Sequence, residues 1–398
     1  MNPRIVTGLG VVSAFGTGGA AFFDGMRDAR PSRSARRVET FDASKYARCP
    51  AMEVPAFDPA SVLGDRGLRT LDRLSKLLIV AARLGLQDAG LKKEGIWVEE
   101  EGQPTRALRT GIVVSNAYGS LEAIHELDRV AILEDPRYIN PARFPLTVSN
   151  SAAGYASIWE DVRALNVSVT NGNCGGLDAV ACADMLLDSG RADVLLVGGA
   201  EALSEPLLAA FDGLGVGFES IETATGSVRG CLGEGAALFV LETPSTARAR
   251  GAEPLAEIIG YGTSFAPPPH AGSLLHPADD ALQSAIRTAI DDARVTSAAV
   301  DLVVSGISGI RLFDVAEVRA ITRVMGSEAC IVAPKIGLGE TLGAGGAFGM
   351  ASGLAYLRSE SKGYVLRGKP PERPKVVLVT ALGYYGNASA LVMRSPSG

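Results

Sequence analysis

The stretch Asn166–Ala202, NVSVTNGNCGGLDAVACADMLLDSGRADVLLVGGAEA, decides how the chain is read. Asn166–Thr170 has the length and alternation of a short strand, with Val167 and Val169 on one face. Asn171, Gly172 and Asn173 are turn formers, and Cys174 follows at once. From there Leu177, Val180, Ala181, Met185 and Leu186 recur at helical spacing, and Gly190 is placed to end the helix. Val194–Val197 is an apolar run of strand length. A strand, a sharp turn, a helix and a second strand therefore put one thiol at a helix N-terminus. Unpaired amides and the helix dipole there favour an anion, which predicts a lowered thiol pKa and an available thiolate. The same amides can stabilise an oxyanion on a thioester carbonyl. A free cysteine is also a small apolar side chain that packs well in a core, and Cys174 taken alone fits that role too.

Composition bounds the rest. A chain of 398 residues, 47% hydrophobic, supports a large core in one or two domains. The 47 glycines and the low aromatic fraction predict many tight turns and closely packed elements. A net charge of −6 argues against nucleic-acid binding, which calls for a basic patch. The five cysteines, at 49, 174, 182, 231 and 330, are scattered and form no metal-ligand spacing. They fit a reducing cytoplasm. The N-terminal stretch is too short and Gly-broken for a signal peptide. No uninterrupted run of about 18 apolar residues predicts a membrane span. No nicotinamide, flavin or phosphate-binding motif is present in the required strand–turn–helix setting, so no cofactor is expected.

Outward from the central stretch, Ile5–Val12 reads as a strand and Leu71–Leu91 as a helix. Arg30–Arg37 is an Arg-rich piece, read as a solvated loop or as a docking patch for an acidic partner. Lys92–Leu108 reads as an insertion loop, Gly111–Ser115 as a strand, and Leu121–Leu133 and Asn150–Arg163 as helices. Glu219–Gly230 reads as a polar loop ahead of a strand within Gly233–Thr243. Leu255–Gly262, Leu302–Ser305 and Lys375–Thr380 read as strands. Asp279–Val295, Asp314–Met325 and Thr341–Leu357 read as helices, the last rich in small residues.

The two halves look like copies. LQDAGL (86–91) resembles IDDARV (290–295), and VVSNAYG (113–119) resembles VVSGISG (303–309). TGLG (7–10) resembles IGYG (259–262), and VLLV (194–197) resembles VVLV (376–379), the pairs occurring in one order. A duplicated βαβ-type unit predicts two parallel-rich sheets with helices around and between them. The Cys174 helix and Thr341–Leu357 would then be central partners.

Nearly the whole chain resembles the thiolase-like condensing enzymes, and within them the β-ketoacyl-acyl-carrier-protein synthases. The resemblance rests on TGLGVVSAFG (7–16), LDRLSKLLIVAARLGLQDAGL (71–91), the stretch around Cys174, LGEGAALFVLE (232–242), ARARGAEPLAEIIGYG (247–262), APK (333–335) and ALGYYGNASALV (381–392). It implies an α/β thiolase-like fold of two duplicated halves layered α-β-α-β-α. Residues 1–245 would form the half carrying the nucleophile, and 246–398 the second half. It also implies acyl transfer from a carrier-protein or coenzyme A thioester onto Cys174, an acyl carrier protein as partner, and a dimer. Lys335 fits the family's lysine. Tyr384 fits the aromatic residue whose backbone amide, with that of Cys174, would form the oxyanion hole.

The chain departs from the family at both histidines. GISGIRLFD (306–314) puts Gly306 where the first stands, while Ser308, Gly309 and Asp314 keep the frame. KIGLGE (335–340) puts Glu340 where the second stands. The three histidines present, 125, 270 and 276, lie at neither position in the sequence. Tyr385 stands where the family has glycine, and the C-terminal turn is one residue short. Gly306 has no side chain to donate a hydrogen bond or carry a proton, and a carboxylate at 340 repels enolate charge unless protonated or paired with Lys335. Each lost donor costs about 10²- to 10⁴-fold. Three functions follow as expectations. One is acyl transfer through Cys174, with Glu340 serving as a base toward a different nucleophile. Another is a non-catalytic partner similar to the chain-length factors of polyketide systems, in a heterodimer with an active synthase. The third is an elongating synthase with altered catalytic groups.

Overall fold

The computed structural model describes residues 1–28, 38–99, 105–223, 226–270, 272–273, 275–361 and 363–396. Ten strands carry the architecture: β1 (Arg4–Ser13), β2 (Thr110–Ser115), β3 (Asn166–Val169), β4 (Val194–Glu201), β5 (Gly235–Glu242), β6 (Ala256–Phe265), β7 (Leu302–Val304), β8 (Ile331–Val332), β9 (Val376–Leu382) and β10 (Asn387–Arg394). Five helices pack on them: α1 (Arg73–Asp88), α2 (Gly175–Asp188), α3 (Asp279–Asp292), α4 (Arg311–Met325) and α5 (Gly345–Leu357).

Each half uses the same order. The first runs β3-β2-β4-β5-β1 and the second β8-β7-β9-β10-β6. In each, the first three strands are parallel and the last two antiparallel. The halves do not form two separate sheets, as the duplication alone predicts. β1 and β6 pair antiparallel, with Ile5 opposite Glu257, and among the described residues join both halves, with the short strands Gly16–Thr17 beside β1 and Val365–Arg367 beside β8, into one twelve-stranded sheet. The physical reason is that each unit ends on a strand with a free edge, and pairing two such edges satisfies both.

The copying extends to detail. β1 is bulged between Val6 and Gly8, and β6 between Ile258 and Gly260. Asp88 accepts the Leu9 amide at 2.8 Å, and Asp292 accepts the Tyr261 amide at 3.0 Å. A Cβ at Gly10 would overlap the Ala81 carbonyl oxygen of α1, and one at Gly262 the Ala285 carbonyl oxygen of α3. Glycine at these positions lets each outer helix lie directly on its strand.

Helices α2 and α5 are the central layer. α2 contacts β2, β3, β4 and β10, and α5 contacts β9, β7, β10, β5 and β4. A Cβ on Gly176 would sit 2.6 Å from the Ala347 nitrogen, and one on Gly346 would sit 2.9 Å from the Leu177 nitrogen. The two helices therefore touch backbone to backbone, with α1 and α3 on the outer faces.

Local departures from the sequence expectation have local causes. Thr341–Leu357 is a 3-10 turn, Leu342–Ala344, leading into α5, as Gly172–Cys174 leads into α2. Glu219–Gly230 contains a hairpin, Ser220–Thr223 with Gly226–Arg229, because Ile221 and Val228 bury one face of an otherwise polar segment. Lys92–Leu108 holds a short hairpin in which Lys92 is buried against Glu160 at 3.0 Å. Arg30–Arg37 lies outside the described residues. Among the described residues, no helix is long and apolar enough to cross a membrane, and no acidic, cysteine or histidine cluster could hold a metal ion.

Candidate active site

Cys174 closes the 3-10 turn that opens α2, where the sequence predicts it, and its side chain is fully buried. Gly172 takes φ of +53°, so the turn needs glycine there. The Cys174 thiol donates to the Ala381 carbonyl at 3.4 Å, which docks the turn on the end of β9.

The expected fall in thiol pKa is contradicted. Burial pushes the Cys174 thiol well above its ordinary value, and the negative charges of Asp178 and Glu317 push the same way. Ser389 and the Gly383 amide oppose them without reversing the sign. Desolvating a thiolate inside the central layer outweighs the helix dipole. Asp178, one turn further along α2, is tied to the Ser389 hydroxyl at 2.5 Å, to the Tyr261 hydroxyl at 2.6 Å and to Asn171. That network fixes a carboxylate beside the sulfur.

Lys335 and Glu340 flank a short helical turn, Lys335–Leu338, that the sequence does not announce. The Lys335 ammonium donates to both Glu340 oxygens, at 2.9 and 2.8 Å, in a buried ion pair. Glu340 also accepts the Leu342 amide at 2.9 Å. Leu342 has φ of +46°, a conformation costly for a side chain with Cβ, and this bond helps hold it. Lys335 is therefore neutralised, and a Cβ at Gly345 would lie 3.2 Å from its Nζ.

Gly306 follows β7. Its amide donates to Glu317 at 2.7 Å, and Glu317 also accepts from Thr380 at 2.6 Å. A Cβ on Gly306 would lie 3.2 Å from Glu317 Oε2, so position 306 faces a carboxylate. Asp314 accepts the Ser308 and Gly309 amides at 3.0 and 2.8 Å and fixes the loop. Tyr384 lies in the turn after β9, its ring 4.7 Å from that of Phe313, and its carbonyl accepts the His276 amide at 2.8 Å. Its hydroxyl faces Asn173 and Glu340. Tyr384 thus links the Cys174 turn to the Lys335–Glu340 pair. At the outer rim the Tyr118 and Tyr385 hydroxyls meet at 3.1 Å.

Two buried carboxyls of raised proton affinity near the site were missed by sequence reasoning. Glu317 is pushed up to about 7 by burial, against hydrogen bonds from Thr380 and Gly306. Its signal is its place on the apolar stripe of α4, with Phe313, Ala316, Ala320 and Ile321. Glu201, which closes the apolar run of β4, is pushed up to about 8 by burial and accepts the Ala117 and Gly343 amides at 2.7 and 3.1 Å. Tertiary structure also brings His276, remote in sequence, beside the 384–386 turn.

Residues 2–247 match the family model Beta-ketoacyl synthase, N-terminal domain, and residues 255–361 match Beta-ketoacyl synthase, C-terminal domain. The chain is 32% identical over 368 residues to the tetracenomycin polyketide synthase ketoacyl synthase alpha subunit of Streptomyces glaucescens, covering 87% of this chain and 83% of that protein. It is 28% identical over 374 residues to 3-oxoacyl-[acyl-carrier-protein] synthase 2 of Coxiella burnetii, covering 90% and 86%. A solved structure titled the ishigamide ketosynthase/chain length factor superposes with a TM-score of 0.84 at 26% identity, covering 100% of both chains.

Proposed function

The chain belongs to the β-ketoacyl synthase family, and on that premise we propose that it takes an acyl group from a carrier-protein thioester onto Cys174 and passes it to an acceptor. The observation that carries this is the seat of Cys174, on a glycine turn at the head of the buried central helix, docked on Ala381. In loading, the sulfur attacks the thioester carbonyl. A Cys174 S–C bond forms and the carrier S–C bond breaks. The thiol proton leaves with the carrier thiol, so a raised thiol pKa does not demand a free resting thiolate. In transfer, the acceptor carbon attacks the acyl carbon with the electron pair freed by loss of its carbon dioxide or proton, the Cys174 S–C bond breaks, and the released thiolate takes up a proton. Backbone amides of Cys174 and Tyr384 hold the oxyanion in this scheme.

With Gly306 and Glu340 in place of imidazoles, malonyl decarboxylation by the usual route is impaired, and Lys335 and Glu340 act first as a structural pair. Residues 1–245 supply the nucleophile, and 246–398 supply Lys335, Glu340 and Tyr384. β3 ends the sheet, and Ile158 and Met185 of neighbouring helices are 75% and 66% exposed, which supports pairing with a second ketosynthase-fold subunit.

The test is intact-protein mass spectrometry after incubation with acyl-carrier-protein and acyl-coenzyme A thioesters, beside Cys174→Ala. A gain of one acyl group, absent from the variant, is expected. No gain with any chain length in folded protein overturns acyl transfer. The buried, neutralised Lys335–Glu340 pair then favours a chain-length-factor-like partner role, read by copurification with an active synthase.

A further inference from the structure

Around the two equivalent turns, buried side-chain atoms lack a hydrogen-bond partner among the described residues: Ser115 Oγ, Asn116 Oδ1, Asn173 Oδ1, Thr341 Oγ1 and Tyr384 OH. Asn173 precedes Cys174, Ser115 packs against Gly175, and Asn116 packs against Gly343. A buried polar group left unpaired is costly. A concentration of them beside a nucleophile leaves hydrogen-bonding capacity that a polar guest could use.

Tyr384 differs from the others. Its ring lies against Phe313 and Phe211, 4.7 and 6.4 Å away between centroids. That apolar side lines a narrow recess of about 40 Å³ with Tyr118, Leu214, Ile310 and Tyr385. Its hydroxyl is on the opposite, polar side, facing Asn173 and Glu340 without a hydrogen bond of normal geometry to either. The side chain is only 7% exposed. It therefore stands between the outer recess and the Cys174 turn. Lys335 commits two of its three ammonium protons to Glu340 and is held there as an ion pair, whereas the Tyr384 hydroxyl has no such partner among the described residues. Burial and the charge of Glu340 raise the phenol well above its ordinary value, so the hydroxyl keeps its proton across the neutral range.

We propose that the Tyr384 hydroxyl donates a hydrogen bond to the carbonyl oxygen of a malonyl-type acceptor thioester, taking over work that imidazoles would do at positions 306 and 340. As the carboxylate carbon leaves as carbon dioxide, its bonding pair moves onto the acceptor carbon and the carbonyl oxygen. Tyr384 stabilises the oxygen without giving up its proton. This rests on Cys174 being the acylated nucleophile.

The experiment compares full-length wild type with Tyr384→Phe, which keeps the ring and the backbone amide. Acyl loading is read by intact mass, and transfer by release of labelled carbon dioxide from malonyl-carrier protein. The ratio of transfer to loading is expected to fall about 10²-fold or more. A variant that loads and transfers as wild type does overturns the donor role. If wild type fails to load, acyl transfer itself has failed. The donor is then read from binding of a non-transferable amide analogue of malonyl-pantetheine. Roughly tenfold weaker binding by Tyr384→Phe, about 1.4 kcal/mol, supports it, and equal affinity overturns it. A fluorotyrosine at 384 is a second variant that leaves the packing in place. Its more acidic phenol is the stronger hydrogen-bond donor, so transfer relative to loading should stay at or above the wild-type ratio, and a loss as large as that of Tyr384→Phe also overturns the role.

Discussion

Lys335 and Glu340 are five residues apart and face each other across a single helical turn, the ammonium donating to both carboxylate oxygens at 2.9 and 2.8 Å. Glu340 spends its charge on that lysine and on the Leu342 amide. The pair binds the Lys335–Leu338 turn to the turn that opens α5.

Removing one partner leaves the other charged and buried. Lys335→Ala and Glu340→Ala are each expected to cost about 3–5 kcal/mol. Lys335→Met with Glu340→Gln should cost much less than the sum of the single changes. Urea denaturation of the three variants measures this, and additive losses would show that the two side chains do not act as a pair.

Cys174 should be a slow nucleophile toward small alkylating agents in the folded protein. Its thiol is buried and its pKa raised by desolvation and by Asp178. Asp178→Asn removes the nearby charge, so alkylation of Cys174 at pH 7–8 should speed up severalfold. Peptide mapping after iodoacetamide treatment separates Cys174 from the other cysteines. A slower rate in Asp178→Asn would assign the carboxylate a helping role instead.

Glu317 and Glu201 have folded values of about 7 and about 8, above the ordinary carboxyl range. A raised carboxyl contributes stability that is complete below its unfolded pKa of about 4.3 and is lost as pH rises through the folded value. Stability should therefore decline from pH 5 to pH 9, by an amount on the order of a few kcal/mol. Glu317→Gln and Glu201→Gln should each flatten part of that decline in thermal melts. Parallel pH profiles for wild type and both variants would remove these groups as its cause.

Gly10 and Gly262 occupy equivalent places under α1 and α3, and an added Cβ would overlap a helix carbonyl oxygen at each. Gly10→Ala and Gly262→Ala should both destabilise by about 1–3 kcal/mol or more, as overpacking does. Gly18→Ala has open space around its Cβ, so at its φ of +95° it should show only the backbone penalty. Comparable losses in Tm for the first two would confirm that the halves pack alike.

Much of the fold was legible because it is local. Leu121–Leu133 is a helix over the very residues its spacing predicts, and β1, β2 and β4 fall on their apolar runs. The matched strings 7–10 and 259–262 turned out to share a bulge and a capping aspartate, so the likeness was one of backbone geometry. β8 was missed because two residues carry too little pattern to stand out. In the site, Cys174, Gly306, Lys335, Glu340 and Tyr384 were named from sequence. Glu317 and Glu201 were not, although each interrupts an apolar face.

The sequence by itself determined the turn and helix that hold Cys174, the duplicated order of elements, and the absence of imidazole at positions 306 and 340. Those are properties of neighbouring residues and of residue identity. Tertiary structure alone decided that the thiol is buried and its pKa raised, that Lys335 is spent on Glu340, and that the Tyr384 hydroxyl faces Asn173. Proton affinity and hydrogen-bond supply depend on desolvation and on charges a few ångströms away through space. Around Cys174 only Asp178 is near in sequence; Glu317, Ala381 and Ser389 come from more than 140 residues further along the chain.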